Sequence, residues 1–332
     1  MLLLGIDTSC DDTSASLLSF GNGELKVLTN VVSSQAEIHK KYGGIVPELA
    51  SRRHIEMIWP VVTEALAGRG LHDLDGVSVC VGPGLIGSLL VGVSFAKAVC
   101  YAKKIPLAGV NHLEGHILST FPEGKKPDFP FIALIVSGGH TSLYRVDGFL
   151  NYTELGRTRD DAAGEAYDKV AKLLGFGYPG GPKIDMLASG GDPRAIPFPR
   201  AYLAGSFDFS FSGLKTAVVN YLREKGAPDE TLLKDIAASF QAAVTDVLVR
   251  KCEWAIRKSG VRRLVVAGGV ASNEGLRAKM EKMAQKKEVA LFIPSPLFCT
   301  DNAAMIAYAG HHHLKAGDLA GLDLNPRAYL PL

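Results

Sequence analysis

The stretch NHLEGHILS, residues 111–119, sets two histidines four positions apart, His112 and His116. On a helix of 3.6 residues per turn both imidazoles lie on one face, a spacing that suits two ligands of one metal ion but also an ordinary helix face. Metalloproteases of the H-E-x-x-H type need their glutamate base directly after the first histidine. Leu113 holds that position here, and Glu114 lies roughly 200° around the helix from His112. The spacing therefore fits a metal pair and argues against a metalloprotease.

The composition suits a globular protein of about two domains, with 332 residues, 47% of them hydrophobic and 36 of them glycine. The net charge is only +2, so an RNA partner would have to be bound by local basic patches. Five cysteines without a C-x-x-C pair favour a reducing, cytoplasmic compartment. The first residues are typical of a strand and not of a signal peptide, and the apolar run 85–96 is too short for a membrane span.

Two segments share one pattern, an apolar run followed by a small polar turn and a second strand. They are residues 2–18 and 131–146, and each predicts a β-hairpin that opens one of two related lobes. A third segment, residues 263–277, predicts a buried strand, a turn at Gly268 and Gly269, and a helix from near Ser272. Backbone amides in such a turn can cradle a nucleotide. Hairpins alone would be weak grounds, but with this turn they resemble the actin, sugar-kinase and Hsp70 superfamily.

That resemblance implies an α/β fold, the two-lobed actin-like ATPase fold, with duplicated ribonuclease-H-like lobes and a nucleotide cleft between them. We expect residues 1–115 with about 303–332 to form the first lobe and residues 116–302 the second. Further strands are predicted at 76–81, 107–110 and 289–293, and helices at 88–102, 162–174, 232–258 and 302–316. The SGLKT run at 212–216 lacks the earlier glycine of a P-loop, so it predicts a helix start.

Nine segments spread over the chain carry a closer resemblance. They are GIDTSCDDTSAS, SSQAEIHKKYGGIVPELASRRHIE, GPGLIGSLLVG, GVNHLEGHILS, LIVSGGHTSL, GRTRDDAAGEAYDKVAKLLG, YPGGPKID, FSFSGLKTAV and VVAGGVASN. With them the chain resembles the bacterial TsaD family, also called Gcp or YgjD, which is related to the catalytic subunit of the KEOPS complex. The resemblance implies an acyltransferase that moves a threonylcarbamoyl group from threonylcarbamoyl-AMP to the exocyclic amine of a tRNA adenosine. That adenosine lies next to the anticodon, in tRNAs that read codons beginning with A.

The same resemblance implies the partners of the enzyme. They are tRNA, a TsaB-type paralogue bound through the first lobe, the ATPase TsaE and a TsaC-type or Sua5-type enzyme that makes the adenylate. We expect no association with a membrane. We expect scattered basic side chains to bind the tRNA phosphates, and the candidates are Arg52, Arg53, Lys103, Lys104, Lys125 and Lys126.

For the metal, the resemblance supplies Asp301 as a third ligand beside His112 and His116, although Asp301 alone could simply cap a helix. Two imidazoles and a carboxylate leave coordination positions open, which suits one divalent ion per subunit, iron(II) first and zinc(II) second. The triple His311 to His313 has ligand chemistry too, but we expect it to be solvated on a surface helix and not to bind the metal.

For the nucleotide, the resemblance implies an adenine nucleotide, threonylcarbamoyl-AMP or ATP, ADP or AMP. Glycines let the backbone approach phosphate or adenine, and carboxylates accept hydrogen bonds from ribose hydroxyls. The residues carried over are Ile135, Val136, Ser137, Gly138, Gly139, Asp168, Gly181, Asp185 and Asn273. Asp11, in the first hairpin, matches the catalytic acid on the phosphate side, where it would position the incoming amine or the phosphate; turn-forming aspartates are also common.

Two other functions stay open at this point. A kinase or ATPase of the same fold would use magnesium and carboxylates and would not need the histidine pair. A non-catalytic scaffold that binds a nucleotide would have no use for a complete set of metal ligands.

Overall fold

The computed structural model describes residues 1–21 and 24–332, and the chain divides into two compact units. Unit 1 comprises Met1–Lys126 and Thr300–Leu332, and unit 2 comprises Pro127–Cys299. Each unit contains one five-stranded sheet. His112, His116 and Asp301 therefore all belong to unit 1.

Five strands form the sheet of unit 1. They are β1 (Leu2–Asp7), β2 (Asp12–Gly21), β3 (Glu24–Ser34), β4 (Gly76–Gly82) and β5 (Leu107–Asn111). Their order is β3-β2-β1-β4-β5, with antiparallel pairs among β1, β2 and β3 and parallel pairs from β1 to β4 and from β4 to β5. β4 is buried throughout and β1 almost throughout, because a central strand with partners on both edges and cover on both faces must be apolar. β3, at the edge, is largely half-exposed.

Five helices accompany this sheet. They are α1 (Ala36–Lys40), α2 (Pro47–Leu66), α3 (Ile86–Lys103), α4 (His112–Leu118) and α11 (Ala303–Ala316), the last returning from the end of the chain. α2 and α3 pack on each other, while α11 packs on β1, β2, β4 and β5 and on α4. The core of unit 1 forms where α2 and α3 cover the sheet. The C-terminal helix thus brings residues near 301 to the end of β5.

The sheet of unit 2 repeats the arrangement. Its strands are β6 (Phe131–Val136), β7 (Thr141–Gly148), β8 (Asn151–Arg157), β9 (Arg263–Ala267) and β10 (Ala290–Phe292). Their order is β10-β9-β6-β7-β8, which is the order of unit 1 with β6 in the place of β1 and β9 in the place of β4. β6, β7 and β8 pair antiparallel, whereas β9 pairs parallel with β6 and β10. Both predicted hairpins and the duplication are confirmed.

Six helices belong to unit 2. They are α5 (Ala163–Leu173), α6 (Gly181–Ala188), α7 (Ser212–Lys225), α8 (Glu230–Ser259), α9 (Glu274–Lys287) and α10 (Pro296–Cys299). α9 begins two residues later than predicted, because a short 3-10 turn follows Gly268 and the Asn273 side chain then accepts from the Leu276 amide to cap the helix. α7 begins at Ser212, as the SGLKT run predicts.

The apolar run expected to be too short for a membrane span is part of the longer helix α3. By length and composition alone, α3 would suffice to cross a membrane. Seven of its residues are buried, and four of these, Val93, Ala96, Val99 and Cys100, join the core of unit 1. One face of α3 therefore packs into the core of unit 1.

The close approach of α11 to β4 yields a stability prediction. A Cβ added at Gly310 would overlap the Ser78 side chain, so Gly310→Ala must push the helix away from the strand. We expect a loss of about 1–3 kcal/mol in the free energy of unfolding, measured by urea denaturation. Gly213→Ala, also in a helix but with open space around it, should be neutral or gain up to about 1 kcal/mol. Equal stability for the two variants would contradict the packing.

Candidate functional site

Helix α4 presents the histidine pair from inside unit 1. It starts where β5 ends, and the Asn111 side chain caps it by accepting from the Leu113 amide at 2.8 Å. All seven residues of the helix are buried. The rings of His112 and His116 meet edge to face with centroids 4.7 Å apart. The predicted pairing of the two imidazoles on one helix is therefore confirmed.

Asp301 joins this pair from the entrance to α11. Its Oδ1 lies 3.5 Å from the His112 Nε2 and 3.2 Å from the His116 Nε2. The helix is capped by Asn302, whose side chain accepts from the Met305 amide, so the simpler interpretation of Asp301 as a cap is wrong. The three donor atoms lie within 4.8 Å of one another and could hold a metal ion.

The distances and the unsatisfied atoms of this group fit a divalent metal. Bonds of about 2.1 Å put neighbouring ligand atoms of one ion about 3.0–3.4 Å apart, close to the separations between Asp301 and the two imidazoles. Both ring nitrogens of His116 are buried and lack a hydrogen-bond partner among the described residues. Such orphaned atoms are costly in a protein interior. A metal ion at the Nε2 would satisfy one of them.

A second carboxylate supports His112 from behind. The Asp7 Oδ2 lies 3.3 Å from the His112 Nδ1, and the Ser9 Oγ lies 3.1 Å from the same nitrogen. A carboxylate on the outer nitrogen fixes the tautomer of a ligating histidine and raises its basicity. Cys80 also lies beside Asp7 and His112, but burial raises the pKa of its thiol to about 12, which disfavours the thiolate.

The charges of the group are tightly linked. Burial lowers the pKa of His112, yet Asp301 and Asp7 outweigh it and hold that pKa well above its ordinary value. Burial lowers the pKa of His116, which favours its neutral form. Burial alone would raise the pKa of Asp301, but the two imidazoles hold it well below its usual range. The group thus offers a carboxylate and a neutral imidazole, and a metal ion would replace the proton on His112.

Asp11 lies in the turn between β1 and β2, near the same charges. Burial, followed by Asp301, raises the pKa of the neighbouring Cys10 thiol, with Asp7 and Asp11 adding to the effect. Burial raises the pKa of Asp12 to about 7, and its Oδ1 is buried without a hydrogen-bond partner among the described residues. Asp11 and Asp301 thus act on the same thiol, that of Cys10.

Glu114 faces away from the metal group, as its helical position predicts. Its Oε2 lies 2.9 Å from the Nε2 of His313, whose Nδ1 lies 2.7 Å from the Asp318 Oδ2. The expectation that the triple 311–313 is solvated is wrong, because one face of α11 is buried: the His313 side chain is 14% exposed, and the His311 ring stacks on Phe20. Burial lowers the pKa of His313, but Glu114 and Asp318 raise it overall to about 9.

In unit 2, the predicted nucleotide turn follows β6. Gly138 and Gly139 are exposed, and no atom lies within 4 Å of where a Cβ would sit on either. The Ser137 Oγ accepts from the His140 amide, which closes the turn. Ile135 and Val136 are fully buried strand residues, so their side chains face the protein and not a ligand.

Two predicted residues are brought together by one that sequence reasoning missed, Gln241 on α8. The Asp185 Oδ1 accepts from the Gln241 Nε2 at 2.9 Å, and the Asn273 Nδ2 donates to the Gln241 Oε1 at 2.7 Å. The Asp185 Oδ2 also accepts from the Glu274 amide at the start of α9. Asp168 accepts from the Gly180 amide at 2.7 Å, just before Gly181 begins α6. Asp185, Gln241 and Asn273 thus form a connected polar cluster in unit 2, while Asp168 makes a separate contact at the start of α6.

The fold defines the broad class. A HypF structure from T. kodakarensis matches with a TM-score of 0.66 at 15% identity, over 96% of this chain and 48% of that one. An activator of 2-hydroxyisocaproyl-CoA dehydratase from Clostridium difficile, with bound ADPNP, matches with a TM-score of 0.53 at 16% identity, over 96% and 97%. Together with the two sheets of equal strand order, they place the chain in the actin-like ATPase fold.

The sequence defines the family. The model of the family TsaD, tRNA N6-adenosine threonylcarbamoyltransferase, matches residues 26–308. An enzyme of that name from Thermodesulfovibrio yellowstonii is 58% identical over 339 residues, all of both chains, and one from Geotalea uraniireducens is 55% identical over 336 residues, 100% of this chain and 97% of that one. The chain belongs to the TsaD family of tRNA-modifying transferases, which confirms the predicted family and activity.

The support that Asp7 gives to His112 leads to a prediction on metal affinity. We expect Asp7→Asn to weaken metal binding about 10–100-fold, because the amide no longer orients and polarises the imidazole. His116→Ala should abolish stoichiometric binding. The measurement is titration of the chelator-stripped protein with iron(II) or zinc, with metal content checked by mass spectrometry. His72→Ala serves as the control, since that side chain is 76% exposed. Unchanged affinity in Asp7→Asn would show that the carboxylate does not act on the metal.

The His313 contacts predict a pH-dependent stability. The pKa of His313 is raised in the folded protein, so its contribution is fully present below about pH 6.5 and is lost as the pH rises through about 9. We expect His313→Gln to cost on the order of 1–3 kcal/mol more at pH 6 than at pH 9.5, measured by urea unfolding at both values. His72→Gln should show no such trend. A cost that is equal at both pH values would contradict the ion pair.

Proposed function

We propose that this chain transfers a threonylcarbamoyl group from threonylcarbamoyl-AMP to the exocyclic amine of the tRNA adenosine next to the anticodon, in tRNAs that read codons beginning with A. The observation that carries the proposal is the buried convergence of His112, His116 and Asp301 in a chain of the TsaD family. A kinase of this fold would have no use for two imidazoles at that position.

The proposed donor is already activated, so the protein need not supply a nucleophile. The adenine amine nitrogen forms a bond to the carbamoyl carbon, the bond from that carbon to the phosphate oxygen breaks, AMP departs, and the amine loses a proton. An aromatic amine is a weak nucleophile. The tasks left to the protein are therefore to orient two reactants and to stabilise developing charge.

In this proposal His112, His116 and Asp301 hold one divalent metal per subunit, iron(II) first and zinc(II) as the alternative. When bound, the metal supplies a Lewis acid that stabilises negative charge on a substrate oxygen. Asp7 keeps the His112 ring in its ligating orientation. Asp11, in the neighbouring turn, positions the incoming amine.

For the nucleotide, we propose that the turn at 137–139 approaches the phosphates through its backbone. The open space beside Gly138 and Gly139 supports this role. Ile135 and Val136 would hold the turn in place from β6. In unit 2, Asp168 would accept from the ribose hydroxyls, while Gly181, Asp185 and Asn273 would frame the adenosine.

The proposed partners are a TsaB-type paralogue, the ATPase TsaE and a TsaC-type or Sua5-type enzyme that supplies the adenylate. Large apolar side chains on α2 and α3 of unit 1 support a protein partner there, since Ile55 and Trp59 are 65% and 54% exposed and Ile86 and Leu90 are each 47% exposed. All five cysteines are free, which fits a cytoplasmic location. Units 1 and 2 would be the two lobes of the fold.

The test is transfer of labelled threonine to anticodon-loop tRNA with active TsaB-type, TsaC-type and TsaE partners. We expect transfer by the wild type, a loss of more than about 100-fold in His116→Ala, and wild-type transfer by His72→Ala. Asp11→Asn should lower transfer without lowering metal content. No transfer by the metal-loaded wild type would overturn the proposal. Full transfer by His116→Ala would leave the metal without a role in the reaction.

A further inference from the structure

A groove on unit 2 is lined by basic and aromatic side chains that the proposed reaction does not use. It runs between α8 and α9, and we name it the α8–α9 groove. Its volume is about 580 Å³, and the residues that matter here are Arg250, Trp254, Lys279, Lys282, Lys286 and Lys287. A second hollow of about 320 Å³ shares Lys287 with it and adds Arg257 and Arg262.

The lining of this groove is positive, with five lysines and arginines against Asp246 and Glu253, and the chain segments that form it are rich in basic residues. Residues 249–263 and 277–288 hold 11 of the 36 lysines and arginines but only 3 of the 34 aspartates and glutamates. These two segments therefore carry a formal charge of +8, and the rest of the chain carries −6. The modest net charge of +2 hides a strongly positive patch on an acidic protein. Such a patch attracts a polyanion.

Acidic neighbours neutralise only part of the patch. Asp246 pairs with Lys279, Glu253 pairs with both Lys287 and Arg250, and Glu288 pairs with Arg262. Four exposed cations of these segments make no ion pair within the described part of the chain, and these are Arg257, Lys258, Lys282 and Lys286. The helix dipole can explain why Lys286 and Arg257 lie in the last turns of their helices, where cations are favourable. It does not explain the positions of Lys282 and Lys279, because the effect of the dipole fades within one turn.

Aromatic rings lie among these cations. The Trp254 ring is half-buried, with the guanidinium of the exposed Arg250 5.5 Å from its centroid. The ammonium of Lys251, which lies 4.8 Å from that centroid, is buried and donates to backbone carbonyls. Tyr202 is 38% exposed, with its ring centroid 6.4 Å from that of Trp254. Basic side chains around an accessible aromatic ring are the combination that binds a nucleic-acid backbone and stacks on an unpaired base.

We infer that the α8–α9 groove binds the sugar-phosphate backbone of RNA, and that it holds the tRNA away from the reacting nucleoside. The inference rests on the proposed function, because that function makes tRNA the substrate. Asn273 caps the start of α9 and Lys286 lies near its end, about 20 Å further along at 1.5 Å per residue. The groove would therefore contact a part of the RNA distant from the polar cluster around Asn273.

Of the six basic side chains expected from the sequence to bind tRNA, three are held in ion pairs, while Lys103, Lys104 and Lys126 are exposed and make none within the described residues. Arg52 pairs with Glu48 at 2.6 Å, Arg53 pairs with Glu56 at 2.7 Å, and Lys125 pairs with Glu123. The α8–α9 groove is a better site for phosphates than this scattered set.

The first test is tRNA binding by filter retention across a salt series. Lys282→Glu with Lys286→Glu should weaken binding at least about 10-fold near 0.1 M salt and reduce the salt slope by about 1.5–2, because two phosphate contacts are lost. The matched control is Arg223→Glu with Lys225→Glu on α7, which makes the same charge change at exposed positions and should bind nearly as the wild type. If both variants lost the same amount of tRNA affinity, the loss would come from the net charge of the protein and not from the groove, and the inference would be overturned.

The second test uses fluorescence. The chain has two tryptophans, so Trp59→Phe leaves Trp254 as the reporter. Saturating tRNA should quench its emission, and unchanged emission would place the RNA elsewhere. A charge-reversed variant that binds tRNA as tightly as the wild type, yet loses transfer in the reaction with its protein partners, would show that the groove binds an acidic protein instead. Wild-type protein that binds tRNA but transfers nothing would overturn the proposed function and leave the groove inference standing.

Discussion

The burial of two imidazoles against two carboxylates is the constraint around which unit 1 is organised. Ionised carboxylates are expensive to remove from water, and they persist in an interior only when a positive or donating partner meets them closely. Asp7 and Asp301 approach opposite nitrogens of His112, so that imidazole separates two acids that would otherwise repel. His116 adds a neutral ring on one side only. A proton on His112 compensates part of the negative charge of the two carboxylates, and a divalent metal ion would compensate more of it.

The sheet topology explains how residues so distant in the chain meet. β1 ends at Asp7 and β5 ends immediately before His112, and both run in the same direction through the parallel part of the sheet. Their carboxyl ends therefore lie at one edge, where ligands bind in α/β sheets. In unit 2, β6 and β9 occupy the places of β1 and β4, and their ends lead to the turns at Gly138 and Gly268. The same edge carries Asp7 and the two imidazoles in unit 1 and glycine-containing turns in unit 2.

What the sequence could predict follows from how local each signal is. The hairpins, the strand-to-helix turn and the histidine pair each depend on residues a few positions apart, so their patterns are visible in the sequence. Asp7 sits in a segment that the sequence had singled out, yet its contact with His112 depends on the register of β1, β4 and β5. Gln241 lies in the middle of a 30-residue helix and carries no local signal. The pairing of Glu114 with His313 likewise needs the packing of α11 on α4, which periodicity does not encode.

Helices α8 and α9 link the polar cluster of unit 2 to its basic groove. Gln241 on α8 meets Asn273 at the start of α9, and 13 residues further on along each helix Trp254 and Lys286 line the same groove. The helices thus run side by side in the same direction and keep two distant points at a fixed separation of about 20 Å. A rigid pair of helices can orient a large substrate, since contact at one end fixes where the other end lies. An amine as weak as that of adenine gains from such orientation, because holding two reactants in place removes much of the entropic cost of bringing them together.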